Sequence, residues 1–175
     1  MDEILVNKNG NKKTLLTALS VKFLFLLYNK SMKTSGAFAV STNSVGQILL
    51  VKRRDFPLWD LPGGRVEKHE SIERAAIRES FEETGFHVKI LRLTGSYFNP
   101  ELADTQFIFL GTIIGGTSIG SGPETTDVRF FSPNHLPLFM IPHRKKQIYQ
   151  ALTGPSVPIQ AEIHDSWLVK YMKKH

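Results

Sequence analysis

Apolar residues in this chain come in short β-branched and aromatic runs broken by glycine and proline, and in one stretch their spacing turns helical. "GAFAVS" (36–41) and "QILLVKR" (47–53) flank the polar, glycine-containing "TNSVG" (42–46), which predicts a β-hairpin. Two longer runs, "HVKILRLTGSYF" (87–98) and "TQFIFLGTII" (105–114), predict a pair of strands. "GGTSIGSGPETTD" (115–127) reads as a loop, "VRFFS" (128–132) as a short strand and "SPNHLP" (132–137) as a turn or short helix. Residues 143–152 and 165–174 look helical. In "DFPLWDLPGG" (55–64), Pro57, Pro62, Gly63 and Gly64 argue against regular structure and predict a shaped loop.

The clearest helix runs from Ser71 to Thr84. Ser71 is a good N-cap, Glu73 sits favourably in the first turn, and Gly85 can take the left-handed conformation that ends a helix. Before the hairpin, "DEILVNKNGNKKT" (2–14) suggests a strand and a tight turn. The apolar stretch "LLTALSVKFLFLLY" (15–28) is too short for a membrane span and is interrupted by Lys22, so it reads as a buried helix or strand pair. It offers apolar surface enough for a homodimer contact, and equally enough to cover one side of a sheet. Residues 1–35 are therefore expected to form an N-terminal appendage and residues 36–175 the main domain. Strands on both sides of a central helix, with more helix at the end, predict a mixed α/β sandwich.

Composition narrows the chemistry. A chain of 175 residues, 41% hydrophobic and 22% charged, is an ordinary globular protein able to bury a core. The absence of cysteine excludes disulfides, thiolate metal sites and cysteine nucleophiles, and fits a cytoplasmic setting. The net charge of +6 would attract anions such as nucleotides. The basic residues are dispersed, however, with Lys52–Arg54 and His143–Lys146 the densest internal groups, so nucleic acid is an unfavoured partner.

"RESFEETGF" (78–86) breaks a local rule. A helix C-terminus is already partly negative, yet Glu79, Glu82 and Glu83 crowd its last turns. The three fall within an arc of roughly 100° at 100° per residue. They continue a face begun by Ile72, Ala75 and Ala76, away from Ile77 and Phe81. Something positive should sit beside them. A Pro-Gly-Gly loop lies just before the helix, where glycine backbone can approach a ligand closely. Three carboxylates and a glycine-loop carbonyl are oxygen donors of the kind Mg²⁺ or Mn²⁺ takes.

"GRVEKHESIERAAIRESFEETGF" (64–86) resembles the Nudix box: G, five residues, E, seven residues, then R-E-U-x-E-E-x-G-U, with U a bulky aliphatic. Gly64, Glu70, Arg78, Glu79, Glu82, Glu83 and Gly85 all fit, Phe86 is an acceptable last apolar residue, and Ser80 departs from the first U. The wider resemblance runs from about Gly36 to Leu152. It implies a Nudix-type α/β/α sandwich with a mixed β-sheet, and a MutT-like hydrolase. Glu79, Glu82 and Glu83 would be metal ligands, Glu79 also helping to deprotonate or orient water, with the carbonyl of Gly63 or Gly64 completing the coordination. Glu70 and Arg78 would pair across loop and helix, and Glu67 would lie further out. Glu124 is the best candidate for an acidic residue entering from a later loop, ahead of Asp127. Arg53 would meet substrate phosphate and Arg54 would be solvated. Trp59 could stack on a base or sugar, or anchor packing.

The resemblance further implies metal-dependent hydrolysis of a phosphoanhydride bond in a nucleoside diphosphate linked to another moiety, ADP-ribose-like or a nucleoside triphosphate. Pro100 and Tyr97 lie near, but out of register with, positions that mark ADP-ribose and dinucleoside-polyphosphate cleavers. Two other readings are a Nudix-fold module that senses a nucleotide without cleaving it and an RNA 5′-end pyrophosphohydrolase. The first predicts lost glutamates, and this chain keeps them all. The second predicts a continuous basic groove leading to the glutamates and binding that weakens steeply with salt.

Overall fold

The computed structural model describes residues 34–164. The expected strand and apolar segment before residue 34, and the helix expected at 165–174, lie outside those residues. Among the described residues there are eight strands: β1 (Thr34–Thr42), β2 (Ile48–Arg53), β3 (Trp59–Asp60), β4 (Gly63–Arg65), β5 (Phe86–Asn99), β6 (Asp104–Gly116), β7 (Thr125–Phe131) and β8 (Ile159–Glu162). Two helices accompany them: α1 (Ile72–Thr84) and α2 (Pro142–Thr153).

β1 organises the sheet. It runs parallel to β6 over its whole length, meets β2 only at its far end (Thr42 opposite Ile48), and accepts β4 beside its first half, with Phe38 opposite Gly63. β5 pairs antiparallel with β6, and β8 parallel with β5. β2 then leaves β1 to pair with β7 along one edge and with β3 along the other. The sheet is therefore mixed, and it forks where β2 diverges and β4 takes its place. That fork brings the ends of β2, β4 and β7 toward one helix end.

The alternation of side chains across β1 sorts the two layers. Ala37 faces Ala75 and Ala76 of α1, with Phe107 and Phe109 from β6. Phe38 and Val40 face the other way, into the larger core with Ile48, Leu50, Tyr97, Ile108 and the Ile148 side of α2. The expected sandwich is observed, as are the hairpin, the β5–β6 pair and the Ser71-capped helix. Ser80, the small polar residue at an apolar position of the motif, is fully buried. It stays satisfied because its hydroxyl donates to the Ala76 carbonyl one turn back, at 2.7 Å.

Three expectations need correction. "DFPLWDLPGG" contributes to two short strands, β3 and β4, because the neighbouring β2 and β1 offer ladder partners; residues 55–58, Leu61 and Pro62 stay outside them. β8 was not foreseen, although Ile159, Ala161 and Ile163 alternate as strand residues do. The basic group 143–146 is not wholly a solvated surface. Arg144 is 1% exposed and Asp60 2%. Their side chains meet at 2.5 Å, and Arg144 also donates to Gln106 and Gln147 while lying over the Phe38 ring. Asp60 in turn accepts from the Leu61 N–H at 2.7 Å and faces Arg53 at 3.6 Å.

Removing one partner of a buried pair leaves the other charge stranded, at a cost of about 3–5 kcal/mol, whereas replacing both can be nearly neutral. Arg144→Met should therefore lower the urea midpoint strongly, and Asp60→Asn with Arg144→Met should recover much of the loss. Equal stability of the single variant and wild type would show that the pair contributes nothing.

Candidate active site

α1 is built to be delivered intact to the fork. Ser71 caps it by accepting from the Arg74 N–H, and Gly85 ends it at φ 79°, its N–H bonded to the Phe81 carbonyl. No basic residue lies in the last turn. The counter-charge for the acidic end comes instead from one turn back within the motif. Arg78 grips Glu70 with two parallel bonds of 3.0 Å, from Nε and from Nη2. The same guanidinium reaches Glu79 at 2.9 Å, Glu82 at 3.1 Å and the Arg65 carbonyl at 3.1 Å. Glu70 and Arg78 thus pair across loop and helix as expected, and Arg78 supplies part of the positive charge that the acidic helix end requires. These bonds hold the Glu70 carboxyl below its usual range and push the Arg78 pKa upward.

Glu79 and Glu83 lie deeper, against the glycines of β4. The Gly63 N–H donates to Glu83 Oε2 at 2.8 Å. A Cβ on Gly64 would stand 2.6 Å from the Glu79 carboxyl carbon, so only glycine admits this carboxylate. Burial pushes the Glu79 pKa up, against the Arg78 bond, with Glu82 and Glu124 adding repulsion. Burial raises Glu83 further, to about 8, with repulsion from Asp60 and Glu79 outweighing Arg53. Glu82 is more exposed, at the rim.

The opposite wall is the turn before β7. Glu79, Glu82 and Glu83 share a cleft of about 270 Å³ with Gly122, Pro123, Glu124 and Thr125. Thr125 caps the helix end by donating to the Glu83 carbonyl at 3.3 Å, and the Ile119 N–H donates to the Thr84 carbonyl at 3.1 Å. A second cleft joins this one through Glu83 and Glu124 and is lined by Arg53, Arg54 and Asp55. Glu124 therefore faces the helix carboxylates, as the sequence suggested. Asp127 does not; it pairs with Arg129 at 2.7 Å. Glu67 is exposed on the loop before the helix.

Three further candidates stand differently from what the sequence suggested. Arg53 lies at the cleft, but its guanidinium is held by Asp55 at 2.9 and 2.6 Å. Arg54, expected to be merely solvated, donates to the Gly122 and Thr125 carbonyls. Trp59, a candidate for stacking on a base or sugar, is 9% exposed and packs edge-on against Phe131 within the core. Its ring anchors the fold and is closed to a ligand. Asp60 went unnoticed because a lone aspartate before Leu-Pro-Gly-Gly carries no spacing signal.

Among the described residues no three acidic side chains converge on one point as they stand. Arg78 draws Glu79 and Glu82 to itself, and Gly63 draws Glu83. The donor set nevertheless fits a hard divalent cation. It is all oxygen, its two inner carboxylates are pushed toward protonation by burial first and by neighbouring carboxylates second, and glycine backbone is pressed against them. A cation there would offset the part of both shifts that comes from like charge.

Comparison with known proteins bears on the same region. A family model, the NUDIX domain, matches residues 32–152. A Bacillus subtilis (strain 168) protein named "Putative 8-oxo-dGTP diphosphatase" is 46% identical over 138 residues, covering 79% of this chain and 92% of that protein. An ADP-ribose pyrophosphatase of Methanocaldococcus jannaschii is 36% identical over 106 residues, covering 57% of this chain and 62% of its own length. Among solved structures, a NUDIX hydrolase from Nitrosomonas europaea superposes with a TM-score of 0.65 at 21% identity, covering 75% of this chain and 79% of that one, a likeness of fold.

The raised Glu83 pKa has a stability consequence. Burial keeps a proton on Glu83 of the folded protein up to about pH 8, whereas the unfolded chain releases it near the ordinary carboxyl value of 4.5. The folded state binds more protons in that window, so metal-free stability should fall as pH rises from about 4.5 to about 8. Glu83→Gln keeps an acceptor for Gly63 and cannot ionise. Thermal unfolding in chelator should show the variant more stable than wild type at pH 8.5, with the gap closing at pH 5. Parallel pH curves for the two proteins would refute the assignment.

Proposed function

The chain belongs to the Nudix family, and from that premise we propose that it hydrolyses a phosphoanhydride bond in a nucleoside triphosphate, releasing a nucleoside monophosphate or diphosphate. As a member of that family it is a hydrolase acting on acid anhydrides. The observation that carries the reading is the cleft in which Glu79, Glu82 and Glu83 face Glu124, with Arg53 at its continuation. The name of the 46%-identical relative points to a purine nucleoside triphosphate with an oxidised base, and that is the substrate class favoured here. The M. jannaschii relative supports ADP-ribose as the second candidate.

Nudix hydrolases need a divalent metal; Mg²⁺ is proposed, with Mn²⁺ as a substitute. Glu79, Glu82, Glu83 and Glu124 would hold it, with a β4 glycine carbonyl as a further donor. Such an ion neutralises charge on the phosphates and acidifies a bound water. The protein's own part is positional. Arg78 and Glu70 keep α1 in register with β4, so the inner carboxylates cannot drift. Glu79, raised in pKa and shielded, is suited to accept a proton from the attacking water. Arg53 can exchange the Asp55 carboxylate for a phosphate, which offers the same forked geometry. Among the described residues the adjoining cleft is not continuously basic: it interleaves Arg53 and Arg54 with Asp55, Glu83 and Glu124, which disfavours the RNA reading. Among the described residues no helix is long and apolar enough to cross a membrane. A cytoplasmic setting is part of the proposal.

The test is hydrolysis of normal and oxidised nucleoside triphosphates, ADP-ribose and nucleotide sugars, with Mg²⁺, with Mn²⁺ and with chelator. Metal-dependent turnover of the triphosphates is expected, with Glu82→Gln reducing it by at least about 100-fold. Turnover confined to ADP-ribose would reassign the substrate. Metal binding with no turnover on the panel would favour a nucleotide-sensing module.

A further inference from the structure

We propose that Arg54 is a positioning residue for Glu124: its guanidinium clamps both ends of the Gly122–Thr125 turn and so sets where that carboxylate stands relative to the α1 glutamates. Nη2 of Arg54 donates to the Gly122 carbonyl at 2.9 Å and to the Thr125 carbonyl at 3.2 Å. The Arg54 backbone N–H donates to the Glu124 carbonyl between them, at 2.9 Å. The turn closes on itself through the Gly122 N–H and the Thr125 carbonyl, at 2.9 Å. The side chain thus meets the carbonyls on either side of Glu124, while the backbone bond meets that of Glu124 itself.

The placement explains why one side chain can matter at an exposed position. β2 and β7 are paired up to Arg53 opposite Thr125, with a register shift between Lys52 and Arg53. Beyond that point the ladder ends, and the turn carrying Glu124 would be tied to β2 by the Arg54 backbone alone. On its other side Thr125 is bonded to the Glu83 carbonyl. Arg54 therefore links the end of β2 to a turn that is itself seated on the end of α1, closing a ring around the cleft. Both bonds leave one nitrogen, Nη2, whose two hydrogens are held in the guanidinium plane as a short fixed fork; an ammonium carries the same charge with hydrogens that turn freely about its stem.

The inference rests on the reading of Glu124 as a cation ligand, and the experiment separates the two. Mn²⁺ affinity is measured by electron paramagnetic resonance of the free ion, without substrate, for wild type, Glu124→Ala, Arg54→Lys, Arg54→Gln and Arg54→Gln with Glu124→Ala. Loss of a group that orients a metal ligand weakens binding by about 10- to 100-fold. Arg54→Gln and Arg54→Lys should each weaken Mn²⁺ binding about as much as Glu124→Ala does, and the double variant no further. Thermal midpoints in chelator should stay close to wild type. Weaker binding in Glu124→Ala with unchanged binding in both Arg54 variants would overturn this inference alone. Full affinity in Arg54→Lys would show that charge, not the fork, is what matters, and would also overturn it. A multiplied loss in the double variant would mean Arg54 acts independently of Glu124. Unchanged binding in Glu124→Ala, or no Mn²⁺ binding by wild type, would instead remove the reading on which it stands. If the Arg54 variants raise only KM for a nucleoside triphosphate, Arg54 touches substrate and does not position the turn.

Discussion

The close approach of the β4 backbone to the carboxylates of α1 is the constraint around which this molecule is arranged. Gly63 sits at φ 148°, and a Cβ there would come within 2.3 Å of the Ala37 carbonyl. At Gly64 a Cβ would strike the Glu79 carboxylate. Two glycines in succession let a strand lie between β1 and a helix with no room for side chains. The helix can come that near because its sheet-facing residues are Ala75 and Ala76, packed over Ala37. The fork of the sheet follows, since β4 occupies the edge of β1 that β2 gives up.

Charge placement is the second theme. Glu70, Glu79 and Glu82 share one guanidinium, while Glu83 has a backbone N–H and a pKa of about 8. Below the cleft runs a ladder of alternating sign, Asp55 to Arg53 to Asp60 to Arg144. The ladder reaches from solvent to the core, and its buried end ties β3 to α2. A site that gathers more negative charge than its own residues neutralise is costly to fold, and such an excess of oxygen donors suits a hard cation.

Most of the regular elements were legible because local physics decides them. The hairpin of β1 and β2, the long β5–β6 pair and the capped α1 rest on side-chain period, Ser71 and Gly85, all of which act within a few residues. The metal-ligand candidates were legible because the glutamates break the rule that helix ends avoid like charge. β3, β4 and β8 were not, since a two- to four-residue strand has little propensity of its own and exists only where a partner edge is offered. Arg144 looked like one more surface cation among Lys145 and Lys146; a partner 84 residues away in sequence buries it.

The family, the carboxylate helix and the identity of Glu70, Arg78, Glu79, Glu82 and Glu83 were readable from the chain alone, because the motif lies within 23 consecutive residues and helical geometry places the last four together. Long-range packing is what sets Arg78 among three glutamates, seats Trp59 in the core, turns Glu124 toward the site and Asp127 away, and brings Arg54 to the turn that carries Glu124. Those outcomes depend on which strand edges meet at the fork of the sheet. Such contacts join residues far apart in the chain, and no local spacing encodes the distance between them.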